Sequence, residues 1–401
     1  MHIRTQTHRG TRPWSALIAT AVLVTACADR STPLAPELAS NVSASAANSA
    51  PKFWDTNASA NWNAFATMLN ARRPGNAARI YAYLSLAQLR AAEDADRIRP
   101  HGPINSAVGN ASAAVLVSFF PAEAAAISAA LAAQAAADPW PGNKHESWSQ
   151  GASIGAAAAA RVLAHAAGDN WGLTNPGTPP VGPGRWAYSG GPIVRGGLGA
   201  RPFFLSSGSE FRSPPPPAFG SPAFLAALAE VRQISDTRTP QQLAIAQYWH
   251  FNQSPTNAGV LNNLAVELLR THRRHELESA RILFLMNGAA LDAAIGCFDT
   301  KYFYWYLRPS HADPLITLPV GLPAHPSYPS AHSCISGALT ESMALAFPDE
   351  RGRLEAIAIE MSLSRLYGGI HYRFDMEAGL RLGRAVAHKA ASASLSTIAV
   401  P

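Results

Sequence analysis

The sequence predicts an all-α fold, because two features favour helices and no feature favours a sheet. Hydrophobic residues make up 48% of the 401 residues and charged residues only 14%, and the text is rich in alanine, the best helix former. The pairs Ser221-Pro222 and Thr239-Pro240 each place a capping residue before a proline at the first helical position. No alternation of apolar and polar residues is long enough to build a sheet, and no internal repeat occurs.

The first thirty residues have the form of a secretory leader, with a basic start followed by an apolar run over residues 14–26 that is short for a transmembrane helix. The segment VTAC, which ends at Cys27, resembles the lipobox of bacterial lipoproteins, in which the cysteine is lipidated and becomes the mature N-terminus. We expect residues 1–27 to be a lipoprotein signal peptide, with an ordinary signal peptide as the alternative. Ala28 favours export to the periplasmic side of the outer membrane, since an aspartate there commonly retains lipoproteins in the inner membrane.

Three regions follow the leader. Residues 28–52 are mostly Ser, Ala, Asn and Pro, too polar to fold, and are predicted to be a disordered tether. Residues 53–221 are predicted to be an N-terminal helical region that closes with a long Gly- and Pro-rich loop from residue 168. Residues 222–401 are predicted to be a mostly helical catalytic region, with short breaks near Ser235 and Pro255.

Charge and hydropathy exclude some classes of partner. The formal net charge is +6, and three of the arginines lie in the leader. No stripe of Lys and Arg with interleaved aromatic residues occurs, so we expect no nucleic-acid binding. No uninterrupted run of 18 apolar residues follows the leader, so we expect membrane contact only through the N-terminal lipid. Assembly into a homo-oligomer stays open.

The first segment with chemical character is Lys301-Tyr-Phe-Tyr-Trp-Tyr-Leu-Arg308-Pro309. Lys301 and Arg308 are seven residues apart, which puts both on one face of a helix, two turns apart. Pro309 is expected to end that helix near Arg308. Two cations on one face with no acid between them predict an anion site.

The second segment is His325-Pro-Ser-Tyr-Pro-Ser330-Ala331-His332, after which a helix is predicted to begin. The free N–H groups at the start of a helix bind anions, so Ser330 and His332 lie where an anion is favoured. The predicted helix has the sequence HSCISGALTESMALAF, which starts at His332.

The third segment is Ser364-Arg365-Leu-Tyr-Gly-Gly-Ile-His371-Tyr-Arg-Phe-Asp375. The glycine pair at 368 and 369 is expected to end one helix and redirect the chain. Asp375 is four residues after His371, so on a helix its carboxylate can accept the Nδ1 proton and leave Nε2 as the basic nitrogen. Three cations, a helix N-terminus, a hydroxyl and two histidines suit a tetrahedral oxyanion or a phosphoryl transition state.

The three segments resemble the signature of the superfamily that joins vanadium-dependent haloperoxidases with phosphatidic acid phosphatases and class A acid phosphatases. That signature is Lys, six residues, Arg-Pro; then Pro-Ser-Gly-His; then Ser-Arg, five residues, His, three residues, Asp. Every spacing is met, and the one departure is Ala331 in place of glycine. The resemblance implies a pair of helical bundles with the pocket in the second.

The resemblance also implies roles for these residues in a vanadate-dependent haloperoxidase of the soluble bacterial type. His371 Nε2 would be the axial vanadium ligand. The charge of the vanadate oxygens would be balanced by Lys301, Arg308 and Arg365. Ser330 and the N–H of Ala331 would bind the same oxygens at the start of the helix. His332 would take a proton from hydrogen peroxide, and Lys301 would polarise the peroxide for attack by halide. Hypohalous acid would be the product.

Two other functions fit the same pocket. An acid phosphatase would need no cofactor, would act on a phosphate ester through a phosphohistidine at His371, and would use His332 to protonate the leaving oxygen. A binding protein would hold phosphate or vanadate without turnover.

His325 bears on the choice of halide. By the resemblance, phenylalanine at this position is typical of fungal chloroperoxidases and histidine of algal bromoperoxidases. Oxidation of bromide and iodide is therefore favoured over chloride, with a purely structural role for His325 as the alternative.

The remaining cysteines and histidines are weaker candidates. Cys297 and Cys334 either form a disulfide or stay as two buried thiols. The histidines at 145, 272 and 275 do not match a metal-binding pattern, and the last two are expected on a solvated, charged helix face.

Overall fold

Helix starts marked in the sequence fix much of the architecture. The computed structural model describes residues 57–71, 76–98, 103–137, 144–187, 190, 192–250 and 257–393. The α-helices of these ranges are α1 Ala58–Asn70, α2 Ala77–Asp96, α3 Ile104–Phe119, α4 Ala124–Ala137, α5 Lys144–Ala167, α6 Pro222–Thr237, α7 Pro240–Tyr248, α8 Asn257–Thr271, α9 Glu276–Tyr304, α10 Pro309–Ala312, α11 Ala331–Ala346, α12 Arg351–Tyr367 and α13 Arg373–Ser392. No strand forms in these ranges, so the all-α fold is confirmed.

Both predicted proline starts are real. The Ser221 hydroxyl accepts from the N–H of Phe224 and begins α6. Thr239 begins α7 with a reciprocal capping box, in which its side chain and that of Gln242 each bond the other's backbone. Such caps satisfy N–H groups that have no partner inside the helix.

The predicted breaks need two corrections. The break expected near Ser235 lies at Arg238, because α6 continues to Thr237. A further break separates α8 from α9 at residues 272–275, where Arg273 has a left-handed backbone and His275 caps α9. The two histidines expected on a helix face therefore lie in a turn. The break expected at Pro255 lies outside the described residues.

Helix α9 is the central element of the fold. It packs against α2 on one side and against α11 and α13 on the other. Most of its residues are buried, as expected for a helix in the middle of the core. Within the described part of the chain it is also the one helix long and apolar enough to cross a membrane, and 83% of its most apolar window is buried inside the protein.

The long loop after α5 is fixed to the helices by polar contacts. The backbone N–H groups of Phe203, Phe204 and Leu205 all donate to the buried carboxylate of Asp292 on α9. Three tyrosine hydroxyls donate to carbonyls of the proline-rich stretch, at Ser213, Pro214 and Pro217. The loop is thus packed against the end of α9 and against the segment that precedes α11.

Several predictions concern residues that the structure does not describe. The leader, Cys27 and the tether over 28–52 lie outside the described ranges. The boundary predicted between residues 221 and 222 stays a prediction, and the largest apolar core contains residues from both sides of it.

Candidate active site

Lys301 and Arg308 do not share a helix, which corrects the sequence prediction. Helix α9 ends at Tyr304, and Trp305 has a left-handed backbone whose N–H bonds the Lys301 carbonyl. Arg308 follows in extended geometry and precedes α10. The left-handed Trp305 ends the helix before Arg308, and Pro309 accounts for the extended geometry of Arg308 itself, because a proline disfavours the helical region for the residue before it. Both cations are nevertheless buried and their side chains reach the same loop over residues 325–329.

The ammonium of Lys301 is held by backbone carbonyls. It donates to the carbonyls of Pro326 at 2.9 Å, Ser327 at 2.7 Å and Pro329 at 2.5 Å. Since an ammonium has three protons, these bonds use all of them. Lys301 therefore shapes the loop that leads into α11, and its charge reaches the pocket through space.

Arg308 joins the loop to His371. Its guanidinium donates to the carbonyls of His325 and Ile370 and to His371 Nε2, the last at 3.0 Å. A guanidinium is only a donor, so His371 Nε2 is an acceptor and carries no proton.

The other nitrogen of His371 faces a carboxylate, as the sequence predicted. Nδ1 donates to Asp375 Oδ2 at 2.8 Å, which assigns the proton to Nδ1. The two residues are not on one helix, however, because His371 precedes α13 and Asp375 lies in its first turn. Ser327 also donates to Asp375 Oδ2, at 2.5 Å, and the backbone N–H of Tyr372 does so at 3.2 Å. These donors hold the carboxylate that orients His371.

The predicted helix start is confirmed. Helix α11 begins at Ala331, and Ser330 caps it by accepting from the N–H of Ser333. The Ser330 N–H donates to the carbonyl of Asp375, which ties this helix start to the third segment. Ala331 and His332, the first residues of the helix, line the same cavity as His371 and Arg365.

His332 and Arg365 are fixed by residues that precede the predicted segments. His332 Nε2 lies 3.0 Å from the Trp249 carbonyl and 2.7 Å from the Asn257 amide nitrogen. Arg365 lies in the last turn of α12 and donates to the Ala246 carbonyl and to Ser364 Oγ.

Burial without a matching negative charge sets the electrostatics. Lys301 and Arg308 are 0% exposed and Arg365 is 1% exposed, and in the described ranges none of them forms a salt bridge with a carboxylate. Burial lowers the pKa of Lys301 to about 8, and burial with the Arg308 charge lowers the pKa of Arg365. Burial raises the pKa of Asp375 to about 6.

The histidines of the site are neutral. Burial, followed by the nearby Arg308 charge, lowers the pKa of His371 well below its usual value, and burial with Arg365 does the same for His332. Burial and the charges of Lys301 and Arg308 also lower the pKa of His325. A neutral His371 with a protonated Nδ1 presents the Nε2 lone pair for bonding.

His325 contacts the cation cluster from the loop. Its Nδ1 lies 3.1 Å from an Arg308 nitrogen and its ring packs edge-on against Phe298 at 5.3 Å. The same Nδ1 lies 3.0 Å from the Pro326 carbonyl, so it either accepts from Arg308 or donates to Pro326, depending on which ring nitrogen carries the proton.

A cavity of about 350 Å³ opens at the site. Of the predicted residues, those lining it are His325, Ala331, His332, Arg365 and His371. The remaining predicted residues lie behind that surface, namely Lys301, Arg308, Ser330 and Asp375.

Two features were not assigned from the sequence. Ser327 lies inside the second segment but carried no predicted role, and Asn257 lies far from all three segments, so no local pattern indicates it.

Cys297 and Cys334 are buried, unbridged thiols, and Cys297 Sγ lies 3.8 Å from the Pro329 carbonyl that also binds Lys301.

Comparisons with known proteins agree with this geometry. Residues 281–395, which contain all three segments, match the model of the PAP2 superfamily. The predicted superfamily resemblance is therefore confirmed. No match is found among the curated proteins.

Solved structures share the fold at low sequence identity. A bacterial vanadium-dependent iodoperoxidase has a TM-score of 0.69 and 22% identity, covering 85% of this chain and 96% of that one. The apo form of a bacterial vanadium-dependent chloroperoxidase has a TM-score of 0.63 and 15% identity, covering 78% of this chain and 91% of that one. The holo form of a bacterial vanadium-dependent chloroperoxidase has a TM-score of 0.65 and 14% identity, covering 80% of this chain and 91% of that one.

Proposed function

We propose that this protein is a vanadate-dependent haloperoxidase that oxidises halide, with bromide or iodide favoured, using hydrogen peroxide. The observation that carries the proposal is the excess of buried positive charge beside an unprotonated histidine nitrogen. Burying a cation without a counterion is costly. Three buried cations around His371, with Asp375 as the carboxylate at the histidine, therefore favour a bound oxyanion.

The donor set fits vanadate. His371 Nε2 would hold the metal centre, and the oxyanion charge would be balanced by Lys301, Arg308 and Arg365. The start of α11, at Ser330 and Ala331, would add backbone N–H groups. Bound vanadate would supply a Lewis-acidic centre that activates hydrogen peroxide.

The chain's own groups prepare this chemistry. Asp375 and Ser327 hold the His371 ring so that Nδ1 keeps its proton and Nε2 its lone pair. Arg308 donates to Nε2 in this structure, and when that lone pair binds vanadate the Arg308 N–H is left for an oxygen of the anion. His332, neutral because of burial and the Arg365 charge, is able to accept a proton from a substrate in the cavity.

An acid phosphatase is the second candidate, because the PAP2 superfamily match covers the same residues. His371 Nε2 would attack phosphorus to form a phosphohistidine. The P–O bond to the leaving alcohol would break as His332, after taking up a proton from solvent, passes it to that oxygen. The likeness to haloperoxidase structures over more than three quarters of the chain supports the first candidate over the second.

One preparation tests the candidates together. Bromination of a phenolic dye by peroxide should require added vanadate, and hydrolysis of a phosphate ester should be absent. His371→Ala should abolish the activity, and Asp375→Ala should reduce it less, because Asp375 acts through His371. Phosphate hydrolysis without bromination would select the phosphatase.

Binding without any turnover would select the binding protein. Arg365→Ala should weaken vanadate binding by tenfold or more, since a charge-assisted hydrogen bond contributes about 1.5–3 kcal/mol. Equal vanadate affinity in the wild type and this variant, measured by calorimetry, would count against the pocket.

We further propose that the protein is exported and held at the membrane by a lipid on Cys27. The lipobox-like segment ending at Cys27 supports this, together with the basic start and the apolar run before it. The polar stretch over residues 28–52 would act as the tether between the lipid and the helical domain.

A further inference from the structure

The cavity at the site is larger and more apolar than halide and hydrogen peroxide need. Its volume is about 350 Å³, the volume of roughly a dozen water molecules at about 30 Å³ each. Most of its lining side chains are aliphatic or aromatic, including Ala258, Ala294, Phe298, Leu322, Ile335 and Leu339. Small-molecule sites are typically of this kind, with a few polar groups at one end.

The cavity has a polar end at His332, Arg365 and His371, called here the anion end, and its apolar part extends from there along α11. Ala331, Ile335 and Leu339 all line the cavity at intervals of four residues, so they form one stripe on that helix. Eight residues of helix span about 12 Å. The cavity therefore reaches roughly that far from Ala331, which is long enough for a two-ring aromatic molecule.

Two other helices also contribute apolar side chains to the cavity. On α12, Met361 lines the cavity one turn before Arg365, and the cation is at the anion end. On α9, Ala294 and Phe298 line it one turn apart, and the Phe298 ring meets His325. An exposed edge is formed by Asn76 with Trp171, which are joined by a hydrogen bond of 3.1 Å.

We propose that this cavity binds a neutral, apolar, ring-containing organic molecule that receives the halogen beside the anion site. Halide would be oxidised by two electrons and hydrogen peroxide reduced to water. A carbon–halogen bond would then replace a C–H bond of the ring, and the ring proton would leave to water. The inference rests on the proposed function and names its acceptor. Halide and peroxide are small and polar, so they gain nothing from the apolar walls, whereas burying rings of about ten carbons against them is favourable. The aromatic alcohol half of a phosphate ester would use the same walls, and the test separates the two.

The test is binding of 2-naphthol to the full chain by calorimetry, with vanadate titrated separately. Ile335→Trp should fill the stripe and weaken 2-naphthol binding by about tenfold or more, while vanadate affinity stays within about twofold. Leu345→Trp is the matched control, because Leu345 is on the same helix, is 36% exposed and does not line the cavity. It should change neither affinity.

A second variant guards against a folding defect. If circular dichroism shows that Ile335→Trp is unfolded, Ile335→Ala should still weaken 2-naphthol binding by roughly fivefold, since it removes apolar contact. No binding of 2-naphthol to the wild type, or equal binding to the wild type and the folded Ile335 variants, overturns the proposal. If the wild type binds 2-naphthol but no vanadate, and the folded Ile335 variants lose 2-naphthol binding, the cavity assignment stands and the proposed haloperoxidase function fails.

Turnover decides which molecule the cavity serves. Bromination of 2-naphthol that falls in Ile335→Trp, while oxidation of iodide alone is kept, supports the acceptor. Hydrolysis of 2-naphthyl phosphate without bromination of 2-naphthol overturns it in favour of the ester.

Discussion

Lys301 shows how burial changes the behaviour of a single charge. Its three ammonium protons are bound by carbonyls of the loop before α11, and burial lowers its pKa to about 8 from the ordinary 10.5. The ammonium is therefore charged at neutral pH and becomes neutral as the pH rises through about 8. Its attraction for an anion is lost over the same interval.

The first prediction follows from that titration. Wild type should bind phosphate about tenfold or more tightly than Lys301→Met below pH 7.5, because a charge near the anion is removed. The ratio of the two affinities should shrink above about pH 8.5, and the titration of phosphate itself cancels in that ratio. Calorimetry from pH 6.5 to 9.5 measures it, with Lys389→Met as the matched control, since Lys389 lies outside the cavity. A constant ratio across the series would contradict the prediction.

His325 is the residue through which halide choice is predicted to act. Its Nδ1 contacts Arg308, and Arg308 also donates to His371 Nε2. His325→Phe removes the imidazole beside the guanidinium and leaves the guanidinium freer to bind an anion, so the ratio of bromide to chloride oxidation should fall. A halide series on both proteins checks this, with the exposed His388→Phe as control. An unchanged ratio and pH optimum would leave His325 with a structural role only.

At the scale of elements, the crossing of α11 and α13 places the helix start at the site. A Cβ added to Gly383 would meet the Cys334 carbonyl at 2.2 Å and the Ala338 nitrogen at 2.7 Å. The backbones touch here, and backbone atoms cannot move aside as a flexible side chain can. The close approach also brings the Asp375 carbonyl to the Ser330 N–H.

Gly383→Ala should therefore destabilise the protein by about 1–3 kcal/mol or more, and it should weaken phosphate binding by displacing the start of α11. Gly352→Ala is the matched control, because a Cβ at this helical position meets nothing within 4 Å. That variant should gain up to about 1 kcal/mol from helix propensity. Urea denaturation of the three proteins gives the comparison, and equal stability of Gly383→Ala and wild type would refute the contact.

At the scale of the whole molecule, the proposed lipid anchor determines where the site works. Mass spectrometry of protein from the membrane fraction should find a lipidated N-terminus at Cys27. Cys27→Ser should release the protein from that fraction, whereas Cys334→Ser should not, because Cys334 is buried in the helical domain. Unprocessed protein recovered from the cytosol would contradict export.

The sequence alone was sufficient for the helical class, for two capped helix starts and for naming residues that the structure brings together at the candidate site. These depend on local properties, namely alanine content, a capping side chain before a proline, and residue types at fixed spacings. The start of α11 at Ser330 and the pairing of His371 with Asp375 were predicted correctly for the same reason.

Only the tertiary structure decided how those residues meet. The sequence placed Lys301 and Arg308 on one helix, but the backbone turns at Trp305 and the loop over 325–329 brings the two charges together. Ser327, Asn257 and the apolar stripe on α11 gain their places from contacts between segments distant in sequence. Spacing along a chain determines which side chains share a turn of helix, whereas packing between helices determines which charges are buried together and what shape of cavity they line.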